Sequence, residues 1–378
     1  VPDPDLPETS RDVRPLRTRG AVLGEGPDAA VPAHYGAPLR EQRRLLDWAA
    51  VVDLGHLELL EVSGADARSW MTTITTQVLT GTPVGASASL AVLSPQGRVE
   101  HLASAVVLGE ESLLLVLDPG ARAGLRRYLE MMRFAARVEI LDRDDLRVLG
   151  ALAPAPEVLP ALGLPAPVAV WSEPWPEVAP GGVAYGPPPE DPVGQVLSVF
   201  PAATLEALAW DGRHLAGMSS WEALRIADHR ARQVREVDER TIPHELDLLR
   251  TSVHTAKGCY RGQETVAKVL NLGQPPRRLV MLHLDGSQDV PVAPGGEVRL
   301  GGSEGKVVGT VTSAALHADL GPIALAVVRR AVPLDAALSV QVPVGDADGG
   351  AGALWIDAAQ EPIVVPREHG ERPATAKL

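Results

Sequence analysis

The sequence predicts an α+β protein whose C-terminal part is all β, and three observations lead there. Over the first half, strand-like and helix-like runs mix without a regular βαβ repeat, which favours α+β over a doubly wound sheet. Twelve prolines between Pro154 and Pro192 then interrupt regular structure, because proline lacks a backbone donor and restricts its predecessor. Beyond about residue 285, short strand candidates alternate with Gly and Pro turns, the texture of a compact barrel or sandwich.

Residues 1–36 are rich in Pro, Gly and charge without a period and read as a mobile arm. The body, 37–284, opens with a helix over 39–50 and a strand over 57–62, ending at Ser63 as N-cap of a helix through Trp70. Strands over 90–93 and 101–108 join through Ser94-Pro95-Gln96-Gly97, with Pro and Gly where a type I turn wants them. A strand over 113–117 leads to Asp118-Pro119, which opens a helix carrying Leu125, Tyr128, Leu129 and Met132 at helical spacing. Strands over 137–141 and 146–149 follow. The stretch 151–194 reads as an extended connector or a degraded insertion. A strand over 195–200 and a helix over 221–226, capped by Ser220, resume the pattern. In the C-terminal part, 285–366, strands are expected at 297–300, 306–312, 323–328 and 338–342, and 367–378 reads as a frayed polar tail.

Composition narrows the function. The chain has 378 residues, 35 Lys+Arg, 48 Asp+Glu, a net charge of −13 and 45% hydrophobic residues. Such a chain buries a sizeable core, and its acidity argues against coating nucleic acid, where phosphates need a basic surface. No apolar run approaches the roughly 18 residues of a membrane span, and the first residues show neither a basic nor an apolar leader pattern. A soluble, cytoplasmic protein is expected. The single cysteine, Cys259, allows no intramolecular disulfide, no four-Cys zinc site and no iron–sulfur cluster held by this chain's cysteines alone.

Chemistry concentrates in Lys257-Gly258-Cys259-Tyr260-Arg261-Gly262-Gln263-Glu264. Lys257 and Arg261 flank the thiol, and nearby cations favour a thiolate. Gln263 and Glu264 offer groups suited to a heterocycle edge. The plainer reading is a glycine-rich turn into a helix over 263–269 with Cys259 merely buried. From Trp221 to Val280 there are eleven Lys+Arg and eight Asp+Glu, a net +3. This basic island suggests an anionic ligand or partner; paired charges on solvated helix faces are the alternative.

K-G-C-Y-x-G-Q-E resembles the signature of YgfZ-type folate-binding proteins, relatives of the glycine-cleavage aminomethyltransferase. The resemblance runs from Leu39 to about Val328, through 58–64, 94–98, 221–226, 241–246, 257–279 and 309–313. It looks actinobacterial at Thr241-Ile242-Pro243-His244-Glu245-Leu246. It implies a ring of interwoven α+β subdomains and a C-terminal β-barrel around a tetrahydrofolate pocket. It also implies a role in assembling or repairing iron–sulfur clusters, with iron–sulfur enzymes or cluster-assembly proteins as partners, a link to tRNA modification, and a monomer. By the same resemblance Cys259 is the functional thiol, and Lys257, Tyr260, Arg261, Gln263, Glu264 and Asp228 are the folate contacts.

Two departures separate the chain from the aminomethyltransferases. Those enzymes carry an Asn-Asp pair after the first long helix, whereas here Gln77 stands where the acid would sit, and glutamine cannot exchange a proton as a carboxylate does. They read the pterin with a glutamate after an L-R-L run, whereas Leu224-Arg225-Ile226 is followed by Ala227 and then Asp228. Folate binding is therefore expected without glycine-cleavage chemistry. The alternatives are a folate-dependent one-carbon transferase or demethylase, and an interaction module whose folate site has decayed.

Other features read as structural. Gly24-Glu25-Gly26-Pro27-Asp28-Ala29 matches G-x-G-x-x-A without a preceding strand. His244-Glu245 lacks the second histidine of a zinc-protease helix, so His244 reads as a core or helix-start residue and no metal site is expected. Trp221 reads as a core anchor, and Arg329-Arg330 as a solvated edge that could face the folate glutamyl tail.

Overall fold

A computed structural model describes Leu16 and residues 20–154, 159–288, 290–344 and 352–366. The chain begins with a small hairpin, β1 (Val22–Leu23) and β2 (Pro32–His34), followed by α1 (Pro38–Leu46). Then come β3 (Val51–Asp53), β4 (Glu58–Ser63), α2 (Ala67–Ile74), β5 (Ser87–Leu93), β6 (Val99–Gly109), β7 (Ser112–Leu117) and α3 (Arg122–Met132). Next are β8 (Glu139–Asp142), β9 (Leu146–Leu152), β10 (Ala169–Ser172), β11 (Gln195–Pro201), α4 (Ala202–Glu206), β12 (Leu215–Ala216), α5 (Met218–Ala227), α6 (Gln233–Glu236) and α7 (Gln263–Leu272). The C-terminal strands are β13 (Arg277–Leu284), β14 (Glu297–Leu300), β15 (Lys306–His317), β16 (Gly321–Arg329), β17 (Leu338–Val344) and β18 (Gly352–Pro362).

Two five-stranded sheets form the body, in the orders β10-β11-β9-β3-β12 and β5-β6-β7-β4-β8, and β13-β16-β15-β14-β17-β18 closes into a barrel. The fold is mixed α+β, as expected. Alternating side chains split the cores. Leu59, Val116, Val148, Trp171, Val199 and Trp221 fill the space between the body sheets and α5. Leu60, Leu115, Met71, Leu125 and Leu129 join the second sheet to α2 and α3. In β13, Val280, Leu282 and Leu284 enter the barrel core, while Leu279 and Met281 pack outward on Ile226 and Leu246. Among the described residues no helix is long and apolar enough to cross a membrane.

Several sequence expectations are corrected here. The part of the arm from residue 20 to 36 is anchored: Val31 is fully buried, and Asp28 is paired with His56, Arg232 and Arg235. The remaining arm residues, 1–15 and 17–19, and the tail 367–378 lie outside the described residues. The proline-rich stretch is no bare connector, because β10 pairs antiparallel with β11 through Ala169–Val199 to Ser172–Val196. The barrel begins with β13 at Arg277, ahead of the boundary expected at 285. Two caps also move. Asp66, not Ser63, flanks the start of α2, since the chain first turns at Gly64 (φ 122°), where a Cβ would lie 2.2 Å from the Arg137 carbonyl. Gly217 precedes α5, and Ser220 instead donates to the Pro38 carbonyl at 3.1 Å.

Candidate functional site

A cavity of about 170 Å³ lies where the two body sheets, α5 and the chain at 246–252 meet. Its apolar walls come from Leu54, Leu57, Val116, Leu197 and Met218, and three tryptophans, Trp171, Trp175 and Trp221, face it. Aromatic and aliphatic walls around a few polar groups are the usual makeup of a site for a flat organic ligand. Trp171 is fixed by its indole N–H, which donates to the Ala88 carbonyl at 3.1 Å. Arg250 stacks over Trp175 at 4.5 Å.

The polar lining is a buried charge network. Arg225 meets Glu222 at 2.9 and 2.8 Å and Glu236 at 3.3 Å. Arg232 joins Glu222, Asp118 and Asp28 at 3.0, 3.0 and 3.1 Å. Burial alone would raise the Glu222 carboxyl, but Arg225 and Arg232 outweigh it and hold the group near about 2. Arg230 pairs with Glu173 at 2.8 Å and with the Gln195 side-chain oxygen. Burial lifts Glu173 above the usual carboxylate range against that pairing. Most arginines of the basic island are thus paired, in part by Asp28, Glu100, Asp118 and Glu173 from outside it.

Four side chains that line this cavity carry buried nitrogens with no hydrogen-bond partner among the described residues: Trp175 Nε1, Gln195 Nε2, His229 Nδ1 and Arg230 Nε. An unmet buried polar group costs about 1–3 kcal/mol. All four belong to residues that border the same void, where an ordered water or a polar ligand meets such groups.

Asp228, expected at the pterin, is not among the residues that line the cavity, although its chain neighbour His229 is, and it accepts the Val193 N–H at 3.0 Å. Its other oxygen has no hydrogen-bond partner among the described residues. Burial drives its carboxyl up to about 7; Arg230 and the Val193 N–H oppose the shift and Glu173 adds to it. With an unfolded value near about 3.9, the native state holds the extra proton between those limits. Stability therefore falls as pH rises through that window, by roughly 4 kcal/mol at most. Asp228→Asn is expected to narrow the loss of melting temperature between pH 5 and pH 8, and an unchanged pH profile would refute the assignment.

The K-G-C-Y-R-G-Q-E loop lies elsewhere, and none of its residues lines the cavity. Lys257 donates to the carbonyls of Thr72 and Thr75 at the end of α2, where a cation meets the negative end of the helix. Burial lowers its amine to about 8. Tyr260 is buried against Leu93, Val183 and Leu249, and burial raises its hydroxyl to about 12. Arg261 pairs with Glu100 at 2.9 Å and stands 5.8 Å from the Tyr128 ring. Gln263 donates to the Lys257 carbonyl at 3.3 Å, and Glu264 is exposed in the first turn of α7. Cys259 is exposed, not buried. Lys257, Tyr260, Arg261, Gln263 and Glu264, expected as folate contacts, are thus gathered at the start of α7, outside the lining of this cavity. Lys257→Met should instead free the end of α2 and cost about 1–2 kcal/mol, read as a lower denaturant midpoint.

No family model matches the chain. It is 27% identical over 288 residues to a chloroplastic transferase-like protein of Arabidopsis thaliana, covering 70% of this chain and 61% of that one. It is 26% identical over 142 residues to an aminomethyltransferase of Chromobacterium violaceum, covering 36% and 37% of the two chains. The chain thus spans less than two thirds of these relatives. The glycine cleavage system aminomethyltransferase T of Bartonella henselae superposes with a TM-score of 0.69 at 20% identity, over 93% of this chain and 96% of that one. The fold is aminomethyltransferase-like.

Within this aminomethyltransferase-like fold, Gln77 has a structural job. Its amide donates to the carbonyls of Ser89 and Thr251 at 3.1 and 2.9 Å, and its oxygen accepts the Val78 N–H at 2.9 Å. Ser89 and Thr251 line the cavity, so Gln77 braces the wall without entering it. Sequence reasoning missed Trp171, Glu173, Trp175 and Asp28. The first three alternate along Trp171-Ser172-Glu173-Pro174-Trp175, a period-two pattern that was the available strand signal.

Proposed function

We propose that the chain binds a reduced folate, such as tetrahydrofolate, in the central cavity, without aminomethyl transfer from glycine. The observation that carries this reading is the set of buried nitrogens without a partner among the described residues, three donors on Trp175, Gln195 and Arg230 and the Nδ1 of His229, beside three tryptophans in an aminomethyltransferase-like fold. A pterin is flat and rich in acceptors, and it also presents an amino–imino edge suited to a carboxylate such as Glu173. The void is smaller than the roughly 300 Å³ of a typical whole-ligand pocket. It therefore suits the bicyclic head, with the remainder of the folate directed outward. Titration calorimetry with tetrahydrofolate is expected to show saturable binding that weakens about tenfold or more in Glu173→Gln. No binding to the wild type would remove the reading in favour of an interaction module.

The finer role, support of iron–sulfur cluster assembly or repair in client enzymes, rests on the resemblance of the Cys259 loop and on the exposure of the thiol. In cells, Cys259→Ser is expected to lower the activity of cluster enzymes, with tRNA modification falling as a consequence. Equal cluster-enzyme activity with either version would end that role. A second reading, one-carbon transfer to or from another amine, is favoured by Asp228 alone, a carboxyl that burial pushes up to about 7 and that adjoins the cavity-lining His229 in sequence. Turnover of a methylated amine that disappears in Asp228→Asn would select it.

A further inference from the structure

Among the described residues six arginines are almost completely buried: Arg68, Arg122, Arg147, Arg225, Arg250 and Arg278. Five of them pair with a carboxylate, on Glu110, Asp144, Asp53, Glu222 and Asp247 respectively. Arg278 pairs with none among the described residues. Its Nη2 donates to two neutral acceptors, the Val332 carbonyl at 3.1 Å and Gln360 Oε1 at 2.7 Å, while Nε and Nη1 are buried with no partner. The neighbouring Arg277 makes the contrast, since it faces the other way and is held by Asp238 at 2.6 Å and Glu245 at 2.7 Å. A buried cation without a counterion is costly, and such a group normally has an anion beside it.

Arg278 and Arg330 border the same crevice, together with Tyr185, Gln274 and Val364. Arg330 is exposed; among the described residues its guanidinium donates to the Gln274 carbonyl at 3.3 Å and has no carboxylate partner. The crevice holds about 10 Å³, room for roughly one water-sized occupant. None of its residues lines the central cavity, so the site is independent of the folate reading. We propose that this crevice binds a small anion, either free chloride or a single carboxylate group, held between Arg278 and Arg330.

Both sources share one chemistry, and the glutamates that follow Pro366 in sequence, Glu368 and Glu371, are the carboxylates to test. The experiment is thermal unfolding of the full chain in sodium chloride against sodium methanesulfonate, a bulkier anion without a carboxylate, at equal ionic strength, with the chloride NMR linewidth as a second readout. With a free-anion site, chloride raises the melting temperature and broadens the chloride signal of the wild type. The response weakens about tenfold in apparent affinity in Arg330→Ala and vanishes in Arg278→Gln. With a carboxylate of the chain as occupant, only Glu368→Gln/Glu371→Gln responds to chloride, and that response again vanishes when Arg278→Gln is added. The proposal is overturned if neither background distinguishes chloride from methanesulfonate, or if Arg278→Gln keeps the response.

Discussion

Arg225→Leu is expected to destabilise the protein by about 3–5 kcal/mol, the cost of breaking a buried ion pair from one side. Arg225 is 1% exposed and satisfies Glu222, Glu236, the Ser313 hydroxyl and the Arg230 carbonyl together. Leucine supplies none of these contacts and leaves Glu236, itself buried, without its arginine. Arg225 lies on α5, which touches both the cavity and the barrel strand β15 through Ser313. The loss should therefore be cooperative across body and barrel, read as one shifted denaturant transition. A shift below about 1 kcal/mol, the scale of a surface pair, would show that the network is not structural.

Gly262→Val is the second large effect, expected at about 2–4 kcal/mol. Gly262 has φ 82°, and a Cβ there would lie 2.5 Å from the Ser94 carbonyl and 2.9 Å from Gly97 Cα. Gly97, at φ 76°, closes the Ser94–Gly97 turn with its N–H on the Ser94 carbonyl at 2.9 Å. The two turns are thus packed backbone to backbone, and a branched residue must both adopt a left-handed conformation and push them apart. Gly258, the other glycine of the motif, has nothing within 4 Å of a Cβ, so Gly258→Val should stay within about 0.5 kcal/mol. Comparable losses from both substitutions would contradict the assigned packing.

Much of the fold was legible because the residues involved announce themselves locally. The Ser94–Gly97 turn, the helical spacing of Leu125, Tyr128 and Leu129, and the strand at Glu297–Leu300 all follow from near-neighbour chemistry. β13 escaped because both its faces are buried, on the barrel core and on Ile226, which erases the alternation of a half-exposed strand. The candidate site was hardly legible. Its lining comes from the ends of many elements, and its charges pair over long separations, as between Arg235 and Asp28, 207 residues apart. Proline density hid Trp171, Glu173 and Trp175. The K-G-C-Y-R-G-Q-E loop drew attention by composition, yet Lys257 and Gly262 are explained by a helix end and a tight turn, which leaves the exposed Cys259 as its chemical group.

The separation of cavity and loop is the central claim, and one calorimetric series tests it: tetrahydrofolate titrated into the wild type, Trp171→Ala and Cys259→Ser. Binding that weakens about tenfold or more in Trp171→Ala and is unchanged in Cys259→Ser is the predicted result. Binding lost in Cys259→Ser and retained in Trp171→Ala would contradict it, and would place the folate at the loop.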